Sequence, residues 1–486
     1  MELFWHRRDL RVADNVGLAA AADRDAVASV FVFDDAVLEH AGAPRVGFLL
    51  DALDALRAAY RDRGSDLLLA RGDPTAVVPA LADELDADRV VWNRDYSGLA
   101  RRRDAAVRQA LDEADVPREA HHDAVLHTPD SIRTNAGDPY SVYTYYWKKW
   151  DDREADDPAP TPDGDDLAST DEFEGARGEL DALLADLPEP ADLGFSEPDA
   201  DLPEAGTAAA RERLDGFLSE DVFRYAEARD YPGESATSRL SQDLKYGTIG
   251  VREAYAATEE ALDAAADRPE ADAAESVTEF QGQLAWREFY TQVLYHNPEV
   301  VTENYKSYEE PIAWREDAEA LVAWKEGRTG YPIVDAGMRQ LSAEAYMHNR
   351  VRMIVAAFLT KDLLIDWREG YAHFREHLVD HDTANDNGGW QWAASTGTDA
   401  QPYFRIFNPM TQGERYDPDA AYITEYVPEL RGVDPETIHS WHERSQAERD
   451  RAAPDYPAPI VDHSERREEA LAMFKRARGE DPDSSG

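Results

Sequence analysis

Short apolar runs alternate with amphipathic stretches over the first 130 residues. Residues 3–6, 27–34, 66–70 and 89–96 are brief, rich in Val, Leu, Phe and Trp, and read as strands. Between them, 45–63 and 75–85 carry apolar residues at helical spacing, with Leu49, Leu50, Leu53 and Leu56 toward one side. This alternation predicts an α/β domain over 1–130, a parallel sheet wound with helices. No glycine-rich phosphate loop follows any of the strands, so the common dinucleotide fingerprint is absent.

The pattern then changes. Residues 151–204 hold 20 acidic residues, two basic residues and seven prolines. That composition predicts a long, irregular surface connection within a linker spanning 131–205. From 206 to 475 the periodicity is helical, clearest at 278–295, at 334–344 and over a long apolar-rich stretch at 346–364. Residues 476–486 form an acidic tail, and no internal repeat is present. The expected architecture is an α/β N-terminal domain followed by an all-α C-terminal domain.

Composition narrows the function. No apolar run approaches the roughly 18 residues of a membrane span, and the segment Met1 to Asp9 is charged, so a cytoplasmic protein without a membrane partner is expected. The chain has no cysteine, which excludes disulfides, thiolate metal sites and a cysteine nucleophile. Redox chemistry therefore requires a bound cofactor. Acidic residues number 100 against 51 basic ones, for a net charge of −49. Because the acid is spread along the chain, it suits a solvated halophilic surface in molar salt, where the Debye length is only about 3 Å, better than a module for basic partners.

Four segments carry candidate chemistry. Thr237-Ser238-Arg239-Leu240-Ser241 gathers hydroxyls and an arginine before a predicted helix; this suits phosphate oxygens, and it is equally the pattern of an ordinary helix cap. On the 278–295 helix, Phe280, Gln283 and Arg287 share a face, with Trp286 beside them; a buried structural network is the rival there. Asn349, Arg352 and Met353 share another face. In the run from Asp380 to Trp392, acidic and amide side chains precede Gly388-Gly389 and two tryptophans. Calcium is the rival for that run, but the loop spacing it needs is missing, and no metal site is expected.

Longer motifs identify a family. Trp5-His6-Arg7-Arg8-Asp9-Leu10-Arg11, Trp286-Arg287-Glu288-Phe289-Tyr290, Gly330-Tyr331-Pro332-Ile333-Val334-Asp335-Ala336, Trp390-Gln391-Trp392-Ala393-Ala394-Ser395-Thr396-Gly397 and Phe404-Arg405-Ile406-Phe407-Asn408-Pro409 span nearly the whole chain. The chain resembles the DNA photolyase and cryptochrome family, specifically its class I cyclobutane pyrimidine dimer photolyases. The resemblance implies light-driven splitting of pyrimidine dimers, with a cryptochrome-like light sensor as the alternative.

It also implies FAD held by Tyr225, Thr237, Ser238, Arg239, Leu240, Ser241, Phe280, Gln283, Arg287, Asn349, Arg352, Asp380, Asp382 and Asp386. In that arrangement Arg287 pairs with Asp380, and Asp386 faces flavin N5. Trp390, Trp367 and Trp314 are implied as an electron-transfer chain. Arg229, Gln283, Trp286, Asn349, Arg350, Met353, Trp392 and Arg405 would meet DNA, with Trp286 and Trp392 flanking a flipped-out dimer. An antenna chromophore is implied at Arg45, Asp95 and Lys245, an 8-hydroxy-5-deazaflavin in preference to a methenyltetrahydrofolate. The expected assembly is a monomer. Gln283, Tyr346 and Asp386 depart from the photolyase pattern, which has Glu, Trp and Asn there; Asp at 386 resembles plant cryptochromes.

The charge balance makes one prediction. Binding that relies on many phosphate contacts loses affinity steeply with salt, whereas a chain of net charge −49 has few uncompensated cations to offer. Lesion binding, followed by filter or fluorescence titration from 0.2 to 2 M KCl taken as an order-of-magnitude range, is expected to show a shallow slope. A repressor-like slope would contradict this.

Overall fold

The computed structural model describes residues 1–170, 172 and 183–481. Its first part runs β1 (Glu2–His6), α1 (Val16–Ala22), β2 (Val27–Phe33), α2 (Ala43–Arg61), β3 (Leu67–Arg71), α3 (Pro74–Glu84), β4 (Arg89–Asn93), α4 (Gly98–Glu113) and β5 (Arg118–His121). All strand pairs are parallel, in the order β3-β2-β1-β4-β5. Successive β1 side chains enter opposite cores: Leu3 and Trp5 join Val90 and Trp92, while Phe4 joins Val91. That alternation is the two-residue period of a strand covered by helices on both faces.

Strand order reverses between β1 and β4, and in such sheets the crevice beyond the strand ends at this point is the usual ligand position. β4 stops at Asn93, three residues before the predicted end. The Asn93 side chain donates to Asp9 at 2.6 Å and Asn15 at 2.7 Å, and accepts from the Gly17 N–H at 3.0 Å. The chain past Asn93 is thereby turned across the switch point. β5 was not legible in the sequence because Arg-Glu-Ala-His is a half-buried edge strand without an apolar run.

The linker is less superficial than its composition predicts. Leu167 bridges Val27, Leu184 bridges Ala70, and Ala168 is fully buried. Pairing of β2 with β3 starts only at Ser29, which leaves Val27 open to Leu167. Residues 171 and 173–182 of the linker and 482–486 of the tail lie outside the described residues. No helix among the described residues is long and apolar enough to cross a membrane.

Among the helices of the second part are α5 (Tyr143–Asp151), α6 (Ser241–Tyr246), α7 (Ala273–His296), α8 (Pro332–Glu344), α9 (Asn349–Ala357), α10 (Trp367–His377), α11 (Thr383–Ala393) and α12 (His463–Ala477). α12 ends at Ala477, so the acidic tail begins slightly later than its composition suggests. The apolar stretch 346–364 is not one helix. Ala345 at φ 49° ends α8, the His348 side chain accepts from the Arg350 N–H at 3.2 Å to start α9, and a π-helical turn follows at Phe358–Asp362.

The main helical core gathers Trp324, Trp367, Trp390 and Trp441. Two glycines permit the closest packing. A Cβ at Gly370 on α10 would overlap the Trp390 ring, and one at Gly388 on α11 would overlap the Tyr290 ring of α7. Both positions are helical, so contact rather than backbone freedom selects glycine. Gly370→Ala is expected to lose about 1–3 kcal/mol of stability through overpacking. Denaturant unfolding monitored by tryptophan fluorescence checks it; an unchanged midpoint would show that Trp390 can move aside.

Candidate flavin and lesion site

Helices α6, α7, α9 and α11 surround a cavity of about 480 Å³. Each contributes a different side-chain type because its inward face is set by helical spacing. α7 supplies Phe280, Gln283, Trp286, Arg287 and Tyr290; α9 supplies Asn349, Arg352 and Met353; α11 supplies Asn385, Asp386, Trp390 and Trp392. Tyr225, Arg229, Ser238, Ser241, Lys245, Asp380 and Asp382 add polar groups to the lining, and Leu240 an apolar one. Thr237 and Arg239 lie in the same loop as Ser238 but do not line the cavity. Arg239 sits at φ 52°, pairs with Glu344 at 3.0 Å and lies over Tyr346, its guanidinium carbon 3.7 Å from the ring centre.

The acidic residues are held in place by arginines. Arg352 donates to Asp380 at 2.7 Å and to the Met347 carbonyl at 2.8 Å. This corrects the expected Arg287–Asp380 pair: Arg287 instead donates to the Ala124 carbonyl at 2.6 Å and the Leu244 carbonyl at 3.1 Å. Burial opposes ionisation of Asp382, but the charges of Arg8 and Arg287 overcome it and hold the carboxyl far below its usual range. Asp382 also caps α11, accepting from the Ala384 and Asn385 N–H groups at 3.1 Å each. Asp386 lies 2.6 Å from His381 Nδ1 and 3.6 Å from an Arg352 nitrogen. The sequence reading of Asp386 included neither neighbour.

Two buried polar atoms in the lining lack partners, Asp380 Oδ1 and Trp390 Nε1. Unsatisfied groups in a buried site mark where a ligand completes the hydrogen bonding. With three arginines, two serine hydroxyls and several aromatic rings around it, the cavity fits a ligand that has both a flat aromatic ring and an anionic part.

Trp286 and Trp392, both half-buried, line the same cavity. Trp286 stacks on Tyr143 with ring centres 3.7 Å apart, and the Tyr143 hydroxyl donates to the Gly282 carbonyl at 2.6 Å. Tyr143 escaped the sequence reading because a single Tyr carries no spacing signal, and Tyr290 and Asn385 stood inside motifs without being assigned to the site. Arg229 pairs with Glu279 and donates to Gln283 at 3.3 Å, while Arg350 pairs with Asp230 at 2.6 Å. Arg350 and Arg405 stand outside the cavity; Arg405 is exposed.

Of the three candidate electron carriers, Trp390 lines the cavity. Trp367 is fully buried and donates to Asn304 at 2.9 Å, and Trp314 packs against Phe474 at 5.9 Å. The nearest rings to Trp390 are Phe374 at 4.9 Å and Trp324 at 6.0 Å.

Arg8, from the β1 end of the switch point, reaches Asp382 at 2.6 Å, Asp95 at 3.5 Å and the Lys245 carbonyl at 3.1 Å. Arg45 and Asp95 both lie close enough to act on the Lys245 charge. Burial, reinforced by Arg8 and Arg45, pushes the Lys245 ammonium down to about 7. A second cavity, of about 500 Å³, opens beyond Asp95 and is lined by Arg94, Arg101, Arg102, Arg108, Tyr96 and Tyr295.

The depressed Asp382 carboxyl makes a signed prediction. Its stabilisation is fully present above the unfolded value near pH 4 and is lost as pH falls through the lower folded value. Arg8→Gln removes the strongest opposing charge while Arg287 remains, so it is expected to cost about 2–3 kcal/mol at pH 7 and to flatten the acid limb of the stability curve. Urea unfolding from pH 7 to pH 3 measures both; an unchanged acid limb would show that Asp382 does not depend on Arg8.

Comparison with known proteins identifies the family. Residues 2–163 match the DNA photolyase family and residues 280–476 match the FAD binding domain of DNA photolyase. The chain is 65% identical to the deoxyribodipyrimidine photo-lyase of Halobacterium salinarum over 99% of its own length and 100% of the relative's. It superposes on a bacterial class III photolyase from Agrobacterium tumefaciens with a TM-score of 0.84 at 36% identity, covering 98% of each chain. It superposes on an archaeal photolyase from Sulfolobus tokodaii with a TM-score of 0.82 at 34% identity, covering 98% of this chain and 100% of that one. The site, the fold and the full-length identity together place this chain in the DNA photolyase family, as a flavin-dependent enzyme.

Proposed function

We infer that this chain splits cyclobutane pyrimidine dimers in DNA under light, using FAD held in the α7–α9–α11 cavity. The observation that carries this reading is the joining of two environments in one cavity: the Arg352–Asp380 pair on one side and the half-buried Trp286 and Trp392 on the other. Reduced flavin, when bound and excited, supplies the electron that opens the dimer and takes it back.

The protein's part is binding, orientation and exclusion of water. Arg352, Asp380, Asp382 and Asp386 form the polar side toward the flavin, with Ser238, Ser241 and Arg287 as donors for its anionic part. Trp286 and Trp392 offer aromatic walls to a pyrimidine dimer flipped out of the duplex; such stacking is worth about 1–3 kcal/mol per base and offsets unstacking of the lesion. The Gln283 amide accepts from Arg229 at 3.3 Å and donates to the Glu279 backbone and side-chain oxygens at 3.2 Å each, so it would have to exchange a Glu279 contact to donate to a dimer carbonyl. Asn349 and Met353 line the wall between flavin and lesion, and Arg350 and Arg405 serve the strand outside. The monomer is the functional unit in this reading, and residues 1–130, 131–205 and 206–475 act as antenna domain, connection and flavin domain.

We also assign an antenna chromophore to the neighbourhood of Arg45, Asp95 and Lys245, between the flavin cavity that Lys245 lines and the second cavity that Asp95 lines. A titratable lysine beside three charged side chains at the sheet's switch point suits an anionic ring system such as 8-hydroxy-5-deazaflavin. The Sulfolobus tokodaii relative's structure is described as holding two FAD molecules, with the implication of a novel light-harvesting cofactor.

The decisive measurement is dimer splitting on a defined thymine-dimer oligonucleotide under blue light with pre-reduced enzyme. Light-dependent repair is expected; binding without repair would favour the light-sensor reading that Asp386 suggests. In the same preparation, Trp390→Phe is expected to keep FAD and repair by chemically reduced enzyme, while losing at least tenfold in photoreduction of oxidised flavin, the tryptophan being the electron donor beside the cavity. Normal photoreduction in the variant would remove Trp390 from that role.

A further inference from the structure

Away from the flavin cavity, the last turn of α10 carries His373, Glu376 and His377. Spacing of i, i+3 and i+4 puts all three on one side of the helix. Their candidate ligand atoms lie within 4.8 Å of one another, and the two imidazole centres are 4.1 Å apart. A tetrahedral zinc site, with metal–ligand distances of about 2.0–2.2 Å, needs its ligand atoms about 3.3–3.6 Å apart, so small side-chain rotations close it. Dimer repair as derived above uses none of these groups.

The surroundings prepare them for a cation. His377 Nδ1 lies 2.9 Å from the His373 carbonyl oxygen and donates to it, which leaves the Nε2 lone pair free; this is the partner a metal-bound histidine ordinarily has. His373 is buried and packs edge-on against Trp324 at 5.7 Å. The Glu376 carboxylate is exposed and has no hydrogen-bond or ion-pair partner among the described residues. The helix ends here, and its C-terminal carbonyls favour positive charge. Lys325 opposes a cation, and Glu376 offsets it.

The same turn is where the two parts of the molecule touch. Arg45 donates to the carbonyls of both His40 and Arg375, and Gly42 packs so closely on the Glu376 carbonyl that a Cβ there would overlap it. Beyond His377 the chain runs directly through Leu378 and Val379 to Asp380 and Asp382.

We propose that His373, Glu376 and His377 bind one divalent transition-metal ion of the zinc class, with water in the fourth position, and that the ion braces the end of α10 against the α/β domain. Two imidazoles with one carboxylate select zinc, nickel or copper over magnesium and calcium, which require oxygen shells. Zinc hydrolases with this spacing use the glutamate as base and take their third ligand from elsewhere. Here the carboxylate oxygen falls in the ligand cluster itself and fills that place.

The test is calorimetric titration of chelator-treated holoprotein with zinc chloride, in KCl with excess magnesium to occupy surface carboxylates. One equivalent of zinc is expected, together with a rise in thermal midpoint and, with cobalt, the visible absorbance of a tetrahedral N/O site. His377→Gln is expected to weaken binding at least tenfold and abolish the thermal shift, with FAD content and flavin spectrum unchanged. Glu376→Gln is expected to weaken binding severalfold, and His442→Gln, elsewhere on the surface, to leave it unchanged. Absence of zinc binding above the magnesium background, or wild-type affinity in His377→Gln, overturns the proposal. Should His377→Gln fail to fold, the exposed Glu376→Gln decides, and wild-type affinity there overturns it equally.

Discussion

The ion pair between Arg8 and Asp382 is the contact on which the rest of the molecule turns. Arg8 leaves the end of β1 at the point where strand order reverses, and Asp382 is the residue that starts α11. A single carboxylate thus ties the sheet to the flavin cavity, caps the helix that carries Asp386, Trp390 and Trp392, and balances Arg287. Around it, Arg11 and Arg252 share Asp123 at 2.8 and 2.6 Å, and Arg252 reaches Asp14 at 2.9 Å. All four groups are buried. Such a network is costly to desolvate and costlier to break, so it fixes the arrangement of the two parts more than it adds net stability.

The same constraint explains how an extremely acidic chain can face DNA. Most arginines near the cavity already have acidic partners: Arg229 has Glu279, Arg350 has Asp230, and Arg352 has Asp380. Few cations remain free for phosphates. In the proposed function, recognition then falls to side chains whose energetics do not depend on ionic strength, above all Trp286 and Trp392.

Packing around Trp390 shows how closely the core and the chemistry are joined. Its indole is admitted by Gly370 of α10 and lies against Phe374 and Trp324. The residues that seat this ring continue along α10 to His373 and His377, so the rigidity of one helix serves both the cavity wall and the boundary with the α/β domain.

By itself, the sequence determined the two-part architecture, because strand alternation and helical periodicity are local properties. Spacing alone also grouped six of the lining residues, Phe280, Gln283 and Arg287 on one face and Asn349, Arg352 and Met353 on another, while the remaining lining calls came from the family resemblance. Tertiary structure decided the rest. Which arginine meets Asp380 depends on how α9 packs beside the 378–382 segment, and spacing within one helix carries no record of that; hence Arg352 and not Arg287. β5 was hidden by its half-buried edge position, and the break at Ala345 and the π-helical turn at Phe358–Asp362 by an uninterrupted apolar pattern. Tyr143 reaches Trp286 across more than a hundred residues, a distance no periodicity spans. His373, Glu376 and His377 were present as a local pattern, yet only burial against Trp324 and contact with the Gly42 backbone distinguish them from an ordinary solvated helix end.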